Sequence, residues 1–218
     1  MYEWVTHTWS PITGCKFECK YCYAQNQKGH KAPVLHKKRL NDNLGEGNTI
    51  FVCSMADMFG DWVPKSSILH VLYVCRRFDK NTYLFQSKNP RRFSEFLLQF
   101  PSNVIFGTTI ETNRSTHKIS RAPEAYSRAF AMSNLLPTNA KKEITIEPIL
   151  DFDLNAFVGL IRSIKPNFVA IGADSKEHNL DEPSPDKIID LIDELSRFTK
   201  VKFKKNLKRI LPDLRVEA

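Results

Sequence analysis

WSPITGCKFECKYCYAQ, residues Trp9 to Gln25, sets Cys15, Cys19 and Cys22 in a C-x3-C-x2-C pattern. Three thiolates this close can ligate three corners of one iron–sulfur cube, and nothing within the run offers an obvious fourth ligand. One iron would be left open. A closed zinc site takes four ligands, usually as two Cys or Cys/His pairs, and the second pair is absent. The competing readings are a zinc knuckle completed by His7 or His30, and three ordinary reduced thiols. Cys53 and Cys75 have no neighbouring Cys or His at ligand spacing.

Outward from this run the chain alternates between strands and helices. Val5 to Trp9 reads as a strand that delivers the chain into the cysteine loop, and Lys20 to Lys28 as a brief helix broken at Gly29. The basic stretch that follows, with Lys31, His36, Lys37, Lys38 and Arg39, is a solvated connection or a phosphate-contacting loop. TIFVC (Thr49 to Cys53) is an apolar run of the kind buried on both faces, as in a parallel strand. From Pro64 to Phe78, Ile68, Leu69, Val71, Leu72 and Cys75 form the apolar face of a helix, with Cys75 in the core. The unit repeats: strand Thr82 to Gln86 and helix Arg91 to Phe100; strand Asn103 to Ile110 and helix from Pro123 to about Leu135. Then come strand Glu143 to Pro148 and a helix ending near Pro166, strand Phe168 to Gly172 and a helix from about Pro185, and a last short strand, Val201 to Phe203. Each helix is the crossover that parallel strands need, so the expectation is an α/β fold with a parallel sheet.

With Tyr23 after the third cysteine, the motif Cys15, Cys19, Cys22 resembles the radical S-adenosylmethionine (radical SAM) superfamily. The flanks, Trp9-Ser10-Pro11-Ile12-Thr13-Gly14 before and Tyr23-Ala24 after, more narrowly resemble a small phage-associated branch of it, distantly similar to spore photoproduct lyase, over most of the chain. The resemblance implies a partial (β/α)6 TIM-like barrel formed by residues 1–218 as one domain, a [4Fe-4S] cluster on the three cysteines, and S-adenosylmethionine on the open iron. It also implies an external one-electron reductant of flavodoxin or ferredoxin type, a 5′-deoxyadenosyl radical that takes hydrogen from a substrate, and protein groups that orient and exclude water while the cofactors carry the radical chemistry.

In parallel α/β barrels functional groups gather where strands give way to helices. Those positions hold the three cysteines, then Ser54 and Asp57, Ser87 and Lys88, Thr109, Glu111 and Asn113, Glu147, and Asp174 and Ser175. By the resemblance, the Ser54 to Asp57 loop meets the amino group of S-adenosylmethionine, although its wording departs from the usual Gly-Gly-Glu. Lys88 meets the methionine carboxylate, Thr109 or Glu111 the ribose, and Tyr23 and Trp9 shield the cluster. Each strand-end Ser or Asp is equally a turn or capping residue. Glu147, among apolar neighbours, needs a cation such as Lys88 or Lys204, a hydroxyl pair, or a ligand.

An excess of 32 Lys+Arg over 24 Asp+Glu, net +8, favours a polyanion as partner, although basic proteins without one are common. Together with the phage-type resemblance it points to a nucleotide or a DNA base, already modified or to be repaired. Arg91, Arg92, Arg114, Arg121 and the run KFKKNLKR (Lys202 to Arg209) are the candidates for phosphate contacts, or else solvated faces. No apolar run reaches membrane-spanning length, and MYEWVTHTWSP lacks the features of a signal peptide, so the expectation is a cytoplasmic protein, in the host cytoplasm if phage-encoded. An odd number of cysteines, three in one loop, suits a reducing compartment. Two other classes compete: a non-catalytic zinc- or cluster-bearing nucleic-acid-binding module, and an iron–sulfur protein that only senses redox state or holds a partner.

Overall fold

Apolar alternation decides which face of each strand meets the helices. In the computed structural model, which describes residues 2–24, 32–135, 140–176 and 178–214, the strands β1 (His7–Trp9), β4 (Thr49–Val52), β5 (Thr82–Gln86), β6 (Val104–Thr109), β7 (Lys141–Ile146), β8 (Phe168–Ile171) and β9 (Lys200–Phe203) form one sheet in the order β1-β4-β5-β6-β7-β8-β9. Every neighbouring pair is parallel. A short antiparallel ribbon, β2 (Ile12–Thr13) with β3 (Val34–Leu35), brackets the cysteine loop. The helices α1 (Lys65–Arg77), α2 (Ala125–Ser133), α3 (Leu154–Ile164) and α4 (Pro185–Ser196) cover the outer face. β1 and β9 are the two sheet edges, so the architecture is the expected partial (β/α)6 barrel, open between its first and last strands.

Tyr83, Phe85, Ile144, Ile146, Val169 and Ile171 point outward into the main core with Ile68, Val71, Leu72 and Cys75 of α1. Leu69, expected on that apolar face, is 43% exposed, because the buried stripe runs through Val74 instead. The inner face carries Leu84, Ile105 and Ala170, and here the N-terminus departs from expectation. Residues 2–6 are not strand. Tyr2, Trp4 and Val5 instead enter the concave side and pack on those residues with Phe51 and Phe168.

Three further differences have local causes. The segment after β5 is 3-10 rather than α-helical over Pro90–Gln99, with a kink at Phe96. Burying Phe93 and Phe96 among Phe59, Phe100 and Phe106, while the Arg92 guanidinium donates to the Gly60 and Val63 carbonyls, fixes a path that a regular helix does not follow. β7 begins two residues earlier than expected and ends at Ile146, before Pro148, which has no N–H for a ladder. Lys20–Ala24 form turns, and the rest of the helix expected there, with His30 and Lys31, lies outside the described residues.

Candidate functional site

The cysteine loop is held by the backbone before any side chain acts. Gly14 has φ +92, and a Cβ there would fall 2.1 Å from the Ala32 carbonyl oxygen, so only glycine fits the entry to the loop. Between the first two cysteines, Glu18 takes φ 49, a left-handed turn. The loop is then stapled to the segment after β6: Lys20 N donates to Ile119 O at 2.8 Å, Arg121 N to Phe17 O at 2.7 Å, and Cys19 Sγ lies 3.1 Å from Ser120 Oγ. Phe17 packs edge-on against Trp62, with ring centroids 4.7 Å apart. Tyr23 OH donates to the Ser54 carbonyl, and Lys176 Nζ to the Tyr23 carbonyl at 2.9 Å. Segments after β4, β6 and β8 thus all grip the loop.

A cavity of about 1300 Å³ opens at the strand ends. Cys15, Cys19, Cys22, Ser54, Asp57, Lys88, Thr109, Glu147 and Asp174 all line it. Glu111 does not. It is fully buried behind the wall, paired with Lys88 and with Arg128 at 2.9 Å, and accepts from Tyr21 OH. Asn113 also turns away, toward Asp153. Trp9 packs into the outer core, donates its indole N–H to Arg39 O and Asp42 Oδ2, and does not line the cavity, whereas Tyr21, Tyr23 and Phe17 do.

Hydrogen bonds show how far the lining groups are already committed. Asp57 accepts from Ser87 Oγ at 2.6 Å, Lys88 N at 2.7 Å and Phe59 N at 3.1 Å, while burial pushes its carboxyl above the ordinary range. It braces the β4 and β5 loops together. Among the described residues Ser54 Oγ has only a 3.5 Å contact, with Ser10 Oγ, which leaves it less committed than Asp57. Thr109 Oγ1 accepts from Gln86 Nε2. Glu147 pairs with Lys204, one of the two partners expected for it, and accepts from Asn206 Nδ2 at 2.7 Å. Burial works against ionisation of Asp174, yet the bonds from His178 and Lys176 N hold its carboxyl below the usual range.

Burial is also the main cause acting on the thiols, raising Cys15 to about 12 with Asp57 and the other two cysteines adding to it, and raising Cys22 as well. Thiols kept protonated in this way become ligands when a metal cation supplies the compensating charge. Among the described residues no three His, Cys, Asp or Glu side chains converge closely enough to enclose a single ion. His7 is exposed on β1, beside Thr6, and does not line the cavity. Three thiols on one short loop, all lining one cavity wall, can each take a separate corner of an iron–sulfur cube. The donor set therefore fits a cluster.

Sequence reading missed Glu143. It lies on the inner face of β7, fully buried, with Oε1 bonded to Thr145 Oγ1 and Tyr2 OH, both lining the cavity, and with Oε2 lacking a hydrogen-bond partner among the described residues. That oxygen would lie 2.7 Å from a Cβ at Gly107, so the glycine makes room for the carboxyl. The available signal was a lone Glu at an inward position of KKEITI. Burial raises its pKa from 4.5 to about 7, against the opposing pull of Thr145, Lys204 and Tyr2. A raised carboxyl pKa gives stability that is full below the unfolded value and lost as pH rises through the folded one. Wild-type protein should lose about 3 kcal/mol across that window relative to Glu143→Gln, which keeps a neutral group there. Urea unfolding at pH 5 and pH 8 checks this, and parallel pH dependences for the two proteins would refute it.

The fold is shared with spore photoproduct lyase. A mutant of that protein with bound AdoMet and dinucleoside spore photoproduct superposes with a TM-score of 0.65 at 14% identity, covering 90% of this chain and 76% of that one. The complex with dinucleoside spore photoproduct gives 0.61 at 13%, covering 88% and 75%. Native anSMEcpe with bound AdoMet and Cp18Cys peptide gives 0.56 at 10%, covering 90% and 62%. The chain itself belongs to the family described as "Protein of unknown function (DUF5131)", whose model matches residues 1–181. Comparison with the curated proteins gives no match.

Proposed function

We propose that this chain is a radical SAM enzyme acting on a nucleotide or a DNA base. The observation that carries the reading is the pinned loop that turns Cys15, Cys19 and Cys22 into one large cavity ringed by polar strand-end groups. A [4Fe-4S] cluster with an open iron, when bound, supplies the electron that cleaves S-adenosylmethionine to a 5′-deoxyadenosyl radical for hydrogen abstraction. Cys15, Cys19 and Cys22 hold it, and Tyr21, Tyr23 and Phe17 keep water from it. Ser54 and the backbone of the β4 loop orient the amino end of S-adenosylmethionine, and Thr109, Glu147 and Asp174 line the space for its nucleoside and for the substrate. Asp57 acts by holding that loop. Lys88 reaches the methionine carboxylate only by sharing its charge with Glu111, the carboxylate that already pairs with it.

The nucleotide part of the proposal draws support from the net charge of +8 and from the dinucleoside bound by the fold's relatives. In this reading one domain carries both half-reactions in the cytoplasm, and a flavodoxin- or ferredoxin-type donor supplies the electron. No helix among the described residues is long and apolar enough to cross a membrane. Anaerobic reconstitution with iron and sulfide should give a brown protein that converts S-adenosylmethionine to 5′-deoxyadenosine once chemically reduced. A colourless zinc protein, or a brown one that leaves S-adenosylmethionine intact, would return the chain to the non-catalytic classes.

A further inference from the structure

The last strand reads KVKF and continues into Lys204, so lysines recur with period two at 200, 202 and 204. Val201 and Phe203 pack on the outer core, while Lys202 and Lys204 lie over the inner-face rings of Trp4, Phe168 and Tyr2, and the whole strand borders the cavity. Inward charges on an edge strand commonly guard it against pairing with another chain. Two observations at this edge ask for more than a guard.

First, the three lysines differ in what holds them. Lys204 is neutralised by Glu147, whereas no ion pair joins Lys200 or Lys202 to a described carboxylate. Lys202 Nζ instead sits 5.2 Å from the Trp4 ring centroid and 4.6 Å from that of Phe168, and burial, together with Lys200, draws it below the ordinary lysine range. Second, Trp4 itself lines the cavity with a buried indole N–H that has no acceptor among the described residues. Two cations and an unmatched N–H donor thus stand at one end of the cavity. Each is satisfied by oxygens of an anion, and a buried donor left unmatched is costly.

We propose that Lys200, Lys202 and Trp4 form a phosphate subsite, on the β9 side of the cavity, that anchors the substrate. The inference rests on the nucleotide reading above and deepens it. Lys200 pairs in register with Phe168 at the start of β8, and Lys202 with Ala170, so the subsite lies toward the strand starts, whereas the cysteines lie at the strand ends. Strand rise puts Lys202 about 7 Å below Lys204. A nucleotide anchored there extends upward past Glu147, its reacting end toward the cysteines.

Titration calorimetry on the full chain, both as purified and after reconstitution, tests the subsite with deoxynucleoside 5′-monophosphates, the matching nucleosides, and a single-stranded ten-mer. The 5′-monophosphate of the preferred base should bind about tenfold or more tightly than its nucleoside, an advantage that Lys202→Gln removes and Lys202→Arg largely restores. Trp4→Phe should reduce it in part. If Lys202→Gln weakens the ten-mer but no monophosphate, the anchored group is a backbone diester and the subsite stands. A Lys202→Gln chain of native stability that binds every phosphate ligand, the ten-mer included, like wild type overturns it. Aggregation of that variant without any loss of phosphate affinity overturns it as well, and leaves the lysines as edge guards. A failure of S-adenosylmethionine cleavage sinks the enzyme reading but leaves these affinities measurable, whereas cleavage without a phosphate effect sinks the subsite alone.

Discussion

Replacing Cys19 with alanine is expected to abolish cluster retention and S-adenosylmethionine cleavage, while Cys75→Ala keeps both. Cys19 is the middle cysteine of the three and the most buried, packed with Phe17 and Ala122 and with Ser120 Oγ 3.1 Å from its sulfur. Alanine leaves two thiols, Cys15 and Cys22, to hold a group that takes three. Cys75 lies on α1 in the outer core, fully buried among aliphatic side chains, and its substitution costs about 1 kcal/mol of packing. Iron per chain after anaerobic reconstitution and 5′-deoxyadenosine formed after reduction are the two measurements. Equal iron in both variants would show that the loop holds no cluster. Loss of iron in both would mean that the fold, rather than the ligand set, had failed.

The strand ends were legible in the sequence because each apolar run stops at a polar group, and in a parallel barrel all such stops share one face. Ser54, Asp57, Lys88, Thr109, Glu147 and Asp174 reach the cavity for that reason. The step from strand end to cavity fails at Glu111, two residues past the end of β6, where the chain has already turned. There the deciding partner is Arg128, which in AYSRAFAMS looks like an ordinary helix-surface arginine and is in fact fully buried. A contact between a loop and a helix beyond it has no period to betray it. The N-terminal segment was unreadable for a related reason: Tyr2 to Val5 are β-prone, and only the three-dimensional gap between β1 and β9 turns them into the packing of the inner face. The lysine ladder was legible in principle, since KVKFK alternates strictly, but as part of a basic run it reads as a patch. Its meaning depends on which parity faces the cavity.

Glu111→Gln is expected to be the most destabilising single polar substitution near the site, by about 3 to 5 kcal/mol, because it strands a buried cation. Arg128 has no exposed side-chain surface. Its Nη1 lies 2.9 Å from Glu111 Oε2 without hydrogen-bond alignment, and its Nε and Nη2 have no hydrogen-bond partner among the described residues, so the carboxylate neutralises it mainly through charge. Burial alone would raise the Glu111 pKa, yet Arg128 and Lys88 outweigh it and hold the carboxyl well below its ordinary value. A depressed carboxyl pKa gives stability that is present above the unfolded value and lost as pH falls through the folded one. Wild-type protein should therefore weaken progressively below about pH 4.5, and Glu111→Gln should lack that component of its acid sensitivity. Adding Arg128→Met to Glu111→Gln should recover much of the loss, since it removes the stranded charge while nearly keeping its volume; a double variant no more stable than the single one would contradict this account. The consequence reaches the cysteines, because Glu111 also accepts from Tyr21, which stands between Cys19 and Cys22 and bonds to Lys88 Nζ at 3.3 Å. A glutamine can still accept from Tyr21 but no longer pairs with the Lys88 cation, which loosens one of the loop's several ties, so Glu111→Gln should retain less iron than wild type even at a temperature where both chains are folded.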